Sequence, residues 1–309
     1  MGEIASALSG IIRGKTDVIG QVLTALLADG SILLEDVPGV GKTTLAKSLA
    51  SMVGLEFGRV QCTPDLLPAD ILGGPIYRPQ TGEFEFRPGP VFCNLLIADE
   101  INRASPRTQS ALLEAMAESQ VTIDGTRYAL KRPFIVIATQ NPGGFEGTFP
   151  LPESQMDRFL IRMNMDYPDP ENEIAMLLDE QADEREADPD HAHDPKAIIH
   201  GADLLQYQAA VRQVAVDAKV AAYLVAIVHA TRQDSRIRIG CSPRGSKMLL
   251  RMARASAIMK GRGYLLPDDV QAVAVPTLAH RMSLQSAGSS IGDATEILQE
   301  ILTRTEIPV

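Results

Sequence analysis

The stretch Leu33-Leu34-Glu35-Asp36-Val37-Pro38-Gly39-Val40-Gly41-Lys42-Thr43-Thr44 limits what this chain can become more than any other part of it. Apolar residues suited to a strand run into a glycine-rich turn, and a helical pattern follows. In a strand, turn and helix of this kind, glycines let backbone N–H groups wrap a polyphosphate, and the helix N-terminus adds partial positive charge. Lys42 is then placed to span the β and γ phosphates and Thr43 to ligate magnesium. Gly39, Val40, Gly41, Lys42, Thr43 and Thr44 are therefore candidate binding residues for ATP with Mg2+. Asp36 stands where the generic pattern has its first glycine, but the core G-x-G-K-[ST] survives.

A second element lies about 57 residues beyond Lys42: Asn94-Leu95-Leu96-Ile97-Ala98-Asp99-Glu100, an apolar run ending in two acids. Beside a triphosphate, Asp99 would hold the metal and Glu100 would polarise the attacking water. Without the glycine-rich loop, the same residues would read as a strand ending in a polar turn. A further apolar run at 134–139 ends in Gln140-Asn141-Pro142. Asn-Pro alone is a turn signal. At the C-terminal edge of a neighbouring strand, however, Asn141 could orient water next to the γ phosphate.

The first half of the chain alternates such apolar runs (31–35, 57–61, 95–99, 134–139 and 159–164) with helical patterns at 43–52 and 105–118. Ser105-Pro106 supplies an N-cap and a first-turn proline. Continuous apolar strands suit a parallel sheet covered on both faces. Residues 1–166 are therefore predicted to be an α/β domain with a five-stranded parallel sheet. Residues 167–195 are predicted to be a linker, because 179–194 hold eight acids against one base and almost nothing apolar. That stretch includes His191-Ala192-His193, which lacks a third ligand at a known metal spacing. From residue 204 strand signals give way to helical patterns at 204–214, 218–232, 243–260 and 268–280, so 196–309 are predicted to form a small all-α domain.

Composition removes several classes. The formal charge of −10 argues against nucleic acid as a partner, since phosphate backbones are bound by clustered Lys and Arg. The longest strongly apolar run, 220–228, is well short of the ~20 residues of a membrane span, so no membrane association is expected. Cys62, Cys93 and Cys241 form no CxxC pair and read as reduced thiols of a cytoplasmic protein.

The set Asp99-Glu100, Thr139-Gln140-Asn141-Pro142, Leu151-Pro152-Glu153 with Asp157-Arg158-Phe159, and Ser242-Pro243-Arg244-Gly245 resembles the MoxR family of AAA+ ATPases over nearly the whole chain. Val18-Ile19-Gly20-Gln21 resembles the AAA+ segment that packs against adenine, which makes Val18 and Ile19 candidate nucleotide contacts. The resemblance implies a P-loop NTPase core with a helical lid. It also implies that Asn141 acts as sensor 1, Arg158 as an arginine finger serving a neighbouring subunit, and Arg244 as sensor 2 in the lid. A homo-oligomer follows, expected as a hexameric ring that remodels protein clients, with von Willebrand factor A proteins as partners.

Arg244 follows a predicted cap, Ser242, and a first-turn Pro243, so its guanidinium would start a lid helix. Paired apolar runs around Gln80-Thr81-Gly82 and Asp124-Gly125 predict two hairpins. In the clade that includes MoxR, magnesium chelatase and MCM proteins, hairpins in these places face the ring's pore. The competing readings are an MCM-like nucleic-acid motor, a small-molecule kinase and a binding-only regulator.

Overall fold

The structure, a computed structural model, describes residues 1–37, 39–141, 148–175, 177–178, 196–285 and 291–308. The acidic stretch 179–194, with His191 and His193, lies outside the described residues, as do Pro38 and Pro142.

Five parallel strands form the central sheet: β1 (Ile32–Glu35), β2 (Phe57–Gln61), β5 (Leu95–Asp99), β8 (Ile135–Gln140) and β9 (Ile161–Met163), in the order β2-β5-β8-β1-β9. They coincide with the five apolar runs of the sequence. Their residues alternate between two cores because successive side chains of a strand point to opposite faces. Ile32, Leu34, Leu95, Ile97, Ile135 and Ile137 join one cluster. Leu33, Leu96, Ala98, Val136 and Ala138 join the other. Both faces are covered, and the inner strands β1, β5 and β8 are buried almost throughout.

The first face is covered by α1 (Gly2–Ile11), α2 (Thr16–Leu27) and α3 (Lys42–Met52). The second is covered by α4 (Pro68–Leu72) and α5 (Pro106–Glu118). Ser105 caps α5 as expected, accepting the Thr108 N–H at 3.3 Å. Both predicted hairpins form, β3 (Gly73–Arg78) with β4 (Glu83–Pro88) and β6 (Gln120–Ile123) with β7 (Thr126–Ala129). A short helix α6 (Glu153–Met156) precedes β9.

The lid contains α7 (Gly201–Gln213), α8 (Ala218–Gln233), α9 (Pro243–Met259), α10 (Pro267–Leu278) and α11 (Ile291–Arg304). It is not purely helical as predicted. The segments β10 (Ile237–Ile239) and β11 (Ser283–Leu284) pair as an antiparallel ribbon. Such short segments carry no periodic signal of their own, and each borders a helix whose pattern dominates the local sequence.

The lid packs along α2 and the edge strand β9. Gln208 Nε2 donates to the carbonyl of Leu26 at 2.9 Å, and Arg251 Nε to that of Ala28 at 3.1 Å, both at the C-terminal end of α2. The apolar cluster on the α1–α3 face continues through Leu204, Leu224, Leu249 and Val270 of the lid. No helix among the described residues is long and apolar enough to cross a membrane.

Candidate active site at the strand ends

The chain between β1 and α3 turns through Gly39 and Gly41, both with φ of 89°. A side chain rarely adopts that backbone, which explains the glycines. Gly41 is the N-cap of α3, so the positive end of the helix faces the turn. Lys42 is buried, and its Nζ donates to the carbonyls of Asp36 at 2.9 Å and Val37 at 2.8 Å. Burial pulls its pKa down, against the opposing pull of Asp36, Asp99 and Glu100.

Asp36 uses its carboxylate to tie the loop to the chain after β9. It accepts the N–H of Met165 and, at 3.0 Å, that of Asp166. Burial raises the Asp36 pKa while the two N–H groups lower it.

β5 delivers Asp99 and Glu100 beside this loop. Gly39, Gly41, Lys42, Thr43, Thr44, Arg59, Gln61, Asp99, Glu100, Thr139 and Asn141 line one cleft of about 340 Å³. Glu100 takes a left-handed backbone, φ 56° and ψ 50°. Its N–H donates to Thr139 Oγ1 at 2.9 Å, and that hydroxyl lies 3.4 Å from Asp99 Oδ1. Its carboxylate accepts Asn141 Nδ2 at 3.1 Å and Arg103 Nη1 at 2.9 Å, with Gln61 Nε2 at 3.5 Å. Asp99 accepts Arg59 Nε at 2.9 Å.

Sequence reasoning left out Arg59 and Gln61. Arg59 and Gln61 lie two apart on one face of β2, and Gln61 stands beside Asp99 in the parallel register. That relation becomes visible only once β2 is known to neighbour β5.

The cleft suits a triphosphate and a hard cation: N–H groups and an ammonium at one side, the Thr43 hydroxyl and the Asp99 carboxylate at the other. No group of three or more His, Cys, Asp or Glu that could hold a metal ion gathers among the described residues.

The other predicted residues lie elsewhere. Val40 packs at the edge of the core, Ile19 is buried, and Val18 lines a second cleft of about 310 Å³ between α2, β9 and the lid. Arg158 and Arg244 are not among the residues lining the cleft at Lys42. Arg158 Nη1 donates to the carbonyl of Leu113 at 2.9 Å. Arg244, in the first turn of α9, has its Nε 3.9 Å from Asp157 Oδ2. Asp157 precedes β9, whose first residue pairs with Ile32 at the start of β1, whereas Lys42 follows the end of β1. Arg244 thus lies beside the residue that precedes Arg158, and neither arginine lines the cleft at the chain's own glycine-rich loop.

Residues 31–161 match the ATPase family associated with various cellular activities (AAA), and residues 229–301 match the AAA lid domain. YeaC of Bacillus subtilis is 45% identical over 310 residues, covering 100% of this chain and 95% of that protein. Chaperone MoxR1 of Mycobacterium tuberculosis is 41% identical over 283 residues, covering 89% and 73%. Protein MoxR of Paracoccus denitrificans is 33% identical, covering 92% and 89%. A crystal structure of a candidate ATPase from Cytophaga hutchinsonii superposes with a TM-score of 0.88 at 36% identity, covering 100% of this chain and 94% of that one. With the sheet order, the glycine-rich loop, the acids of β5 and the helical lid in place, the chain belongs to the MoxR family of AAA+ ATPases.

Proposed function

We propose that the protein hydrolyses ATP in a ring of identical subunits, expected to be hexameric, and uses the energy to remodel protein clients or their metal-cofactor complexes. The observation that carries the reading is the convergence of Lys42, Thr43, Asp99, Glu100 and Asn141 on one cleft. Thr43 and Asp99 would hold Mg2+, which when bound neutralises phosphate charge.

Within the cleft, α3 and the loop N–H groups bind the phosphates, and Lys42 leaves its carbonyl partners for the β and γ oxygens. Glu100 orients the attacking water and takes its proton, while Asn141 fixes the Glu100 carboxylate through Oε1. Expulsion of ADP breaks the bond to the γ phosphorus as the oxygen of water forms the new one.

Arg158 would stabilise the charge on a neighbouring subunit's γ phosphate. Supporting this, no carboxylate among the described residues pairs with Arg158: Asp157 is taken by Arg281 and Glu153 by Arg238. The same placement favours a neighbour's nucleotide over its own for Arg244. The tip of the β3–β4 hairpin exposes Tyr77 and Phe84, their ring centroids 5.4 Å apart. An apolar tip suits a protein client better than a phosphate backbone. Among relatives, the name Chaperone MoxR1 agrees with that reading. By family resemblance, von Willebrand factor A proteins are the partners to test first.

Glu100→Gln is expected to bind ATP with near-unchanged affinity and to lose turnover by about 10²-fold or more. Turnover by that variant within a few-fold of the parent would sink the assignment. Its ATP-loaded form should also retain client in a pull-down.

A further inference from the structure

Arg281 is a buried cation that the scheme above does not use. It closes the single-turn helix after α10, and its side chain is 1% exposed. Every group it reaches in the core belongs to the few residues around Arg158. Nε donates to Asp157 Oδ1 at 3.0 Å, and Nη1 to the Leu160 carbonyl at 3.2 Å. Nη2 reaches the carbonyls of Phe159 and, at 3.4 Å, Asp157. The guanidinium therefore brackets Arg158 along the backbone on both sides.

Within the lid, Arg281 is held by the Thr277 carbonyl and lies against Met248 Sδ and His280 Nε2. His280 is kept neutral by burial and by the adjacent guanidinium, so it does not compete for Asp157. Leu160 N–H, in turn, donates to the Ser31 carbonyl at 2.8 Å, which fixes the bracketed segment to the sheet edge. Asp157 also faces Arg244, so one carboxylate next to Arg158 in the chain links Arg281 to Arg244.

We infer that Arg281 is a positioning residue through which a subunit's own lid sets Arg158, and with it Arg244, for the nucleotide of the next subunit. This inference rests on the trans role proposed for Arg158. A planar fork suits the task, because it fixes a carboxylate and several carbonyls in one geometry, which an ammonium cannot. The lid then acts on hydrolysis next door without touching the nucleotide its own core binds.

The test uses full-length Arg281→Lys, which keeps the charge and loses the fork, and Asp157→Asn, which weakens the contact from its less buried side. Each is expected to lower kcat at least tenfold while the affinity for a fluorescent ATP analogue stays within twofold. Each is then mixed with Glu100→Gln subunits, which cannot turn over but carry intact arginines. Activity per variant subunit should recover several-fold, because the variant's own cleft is now served by a sound neighbour. Arg158→Ala mixed with Glu100→Gln is the reference. If that reference mixture recovers and the two variants do not, or if their ATP affinity falls along with kcat, Arg281 is only a packing residue and the inference fails. If the reference mixture itself does not recover, the trans reading falls and takes the inference with it.

Discussion

Glu100 holds a backbone that a non-glycine residue adopts at a cost of roughly 1 kcal/mol or more. The surroundings over-determine it: Thr139 takes its N–H, while Asn141, Arg103 and Gln61 surround its carboxylate. The turn aims the carboxylate into the cleft instead of along the strand. Next to it, Arg59 sits on the Asp99 oxygen that a metal would need. Its side chain is 54% exposed, so the pair is worth under about 1 kcal/mol. Arg59→Met should therefore raise affinity for Mg2+ with nucleotide by no more than about fivefold. A fluorescent ATP analogue titrated with Mg2+ and again with EDTA checks this, because the EDTA curve should not move. A shift of equal size in both curves would mean that Arg59 contacts the nucleotide and not the metal site. Lys42, Thr43, Asp99 and Glu100 are legible in sequence because each belongs to a local strand-to-turn pattern. Arg59 and Gln61 are not, because their roles depend on β2 and β5 lying side by side, a fact no local window contains.

Among elements, the junction of α9 and α10 depends on Asp269. This fully buried carboxylate accepts Arg262 through both oxygens, at 2.7 and 2.6 Å, Lys260 at 2.9 Å and the Leu266 N–H at 3.0 Å. Burial alone would push its pKa up, but Arg262, Lys260 and the N–H outweigh that and hold it at about 2. A carboxyl whose pKa is lower folded than unfolded stabilises the fold above the unfolded value. That stability fades as pH falls through the folded value, here from about pH 4 to pH 2. The shift is worth about 2 to 3 kcal/mol. Asp269→Asn should lower stability at pH 7 by about that amount and flatten the acid limb across the same window. Denaturant melts at pH 7, 4 and 2 measure both, and parallel pH profiles for the two proteins would contradict the account. The helices here are legible because Pro243 and Pro267 open periodic apolar runs. The β10–β11 ribbon is not, because its pairing joins two short segments separated by α9 and α10.

For the whole molecule, the decisive fact is where the lid sits. A lid packed along α2 and β9, and continuous with the α1–α3 core, places none of its arginines among the residues that line the strand-end cleft. On the trans reading proposed above, the chain carries half a site, Lys42 to Glu100, and a pair of cations, Arg158 and Arg244, for a neighbour's. In the ring proposed above, a closed head-to-tail arrangement would bring the two together at every interface. Specific ATPase activity should therefore rise with protein concentration and level off once rings are filled. An arginine supplied in trans is worth about 10³ to 10⁵ in rate. Arg158→Ala should accordingly stay flat and low across the same range. ATP bound at the interface favours assembly by mass action, so Glu100→Gln with ATP should sediment as the ring and lose mass when nucleotide is removed. Specific activity independent of concentration, together with a monomer in the sedimentation of ATP-loaded Glu100→Gln, would show that each subunit completes its own site and that the two arginines serve only the fold.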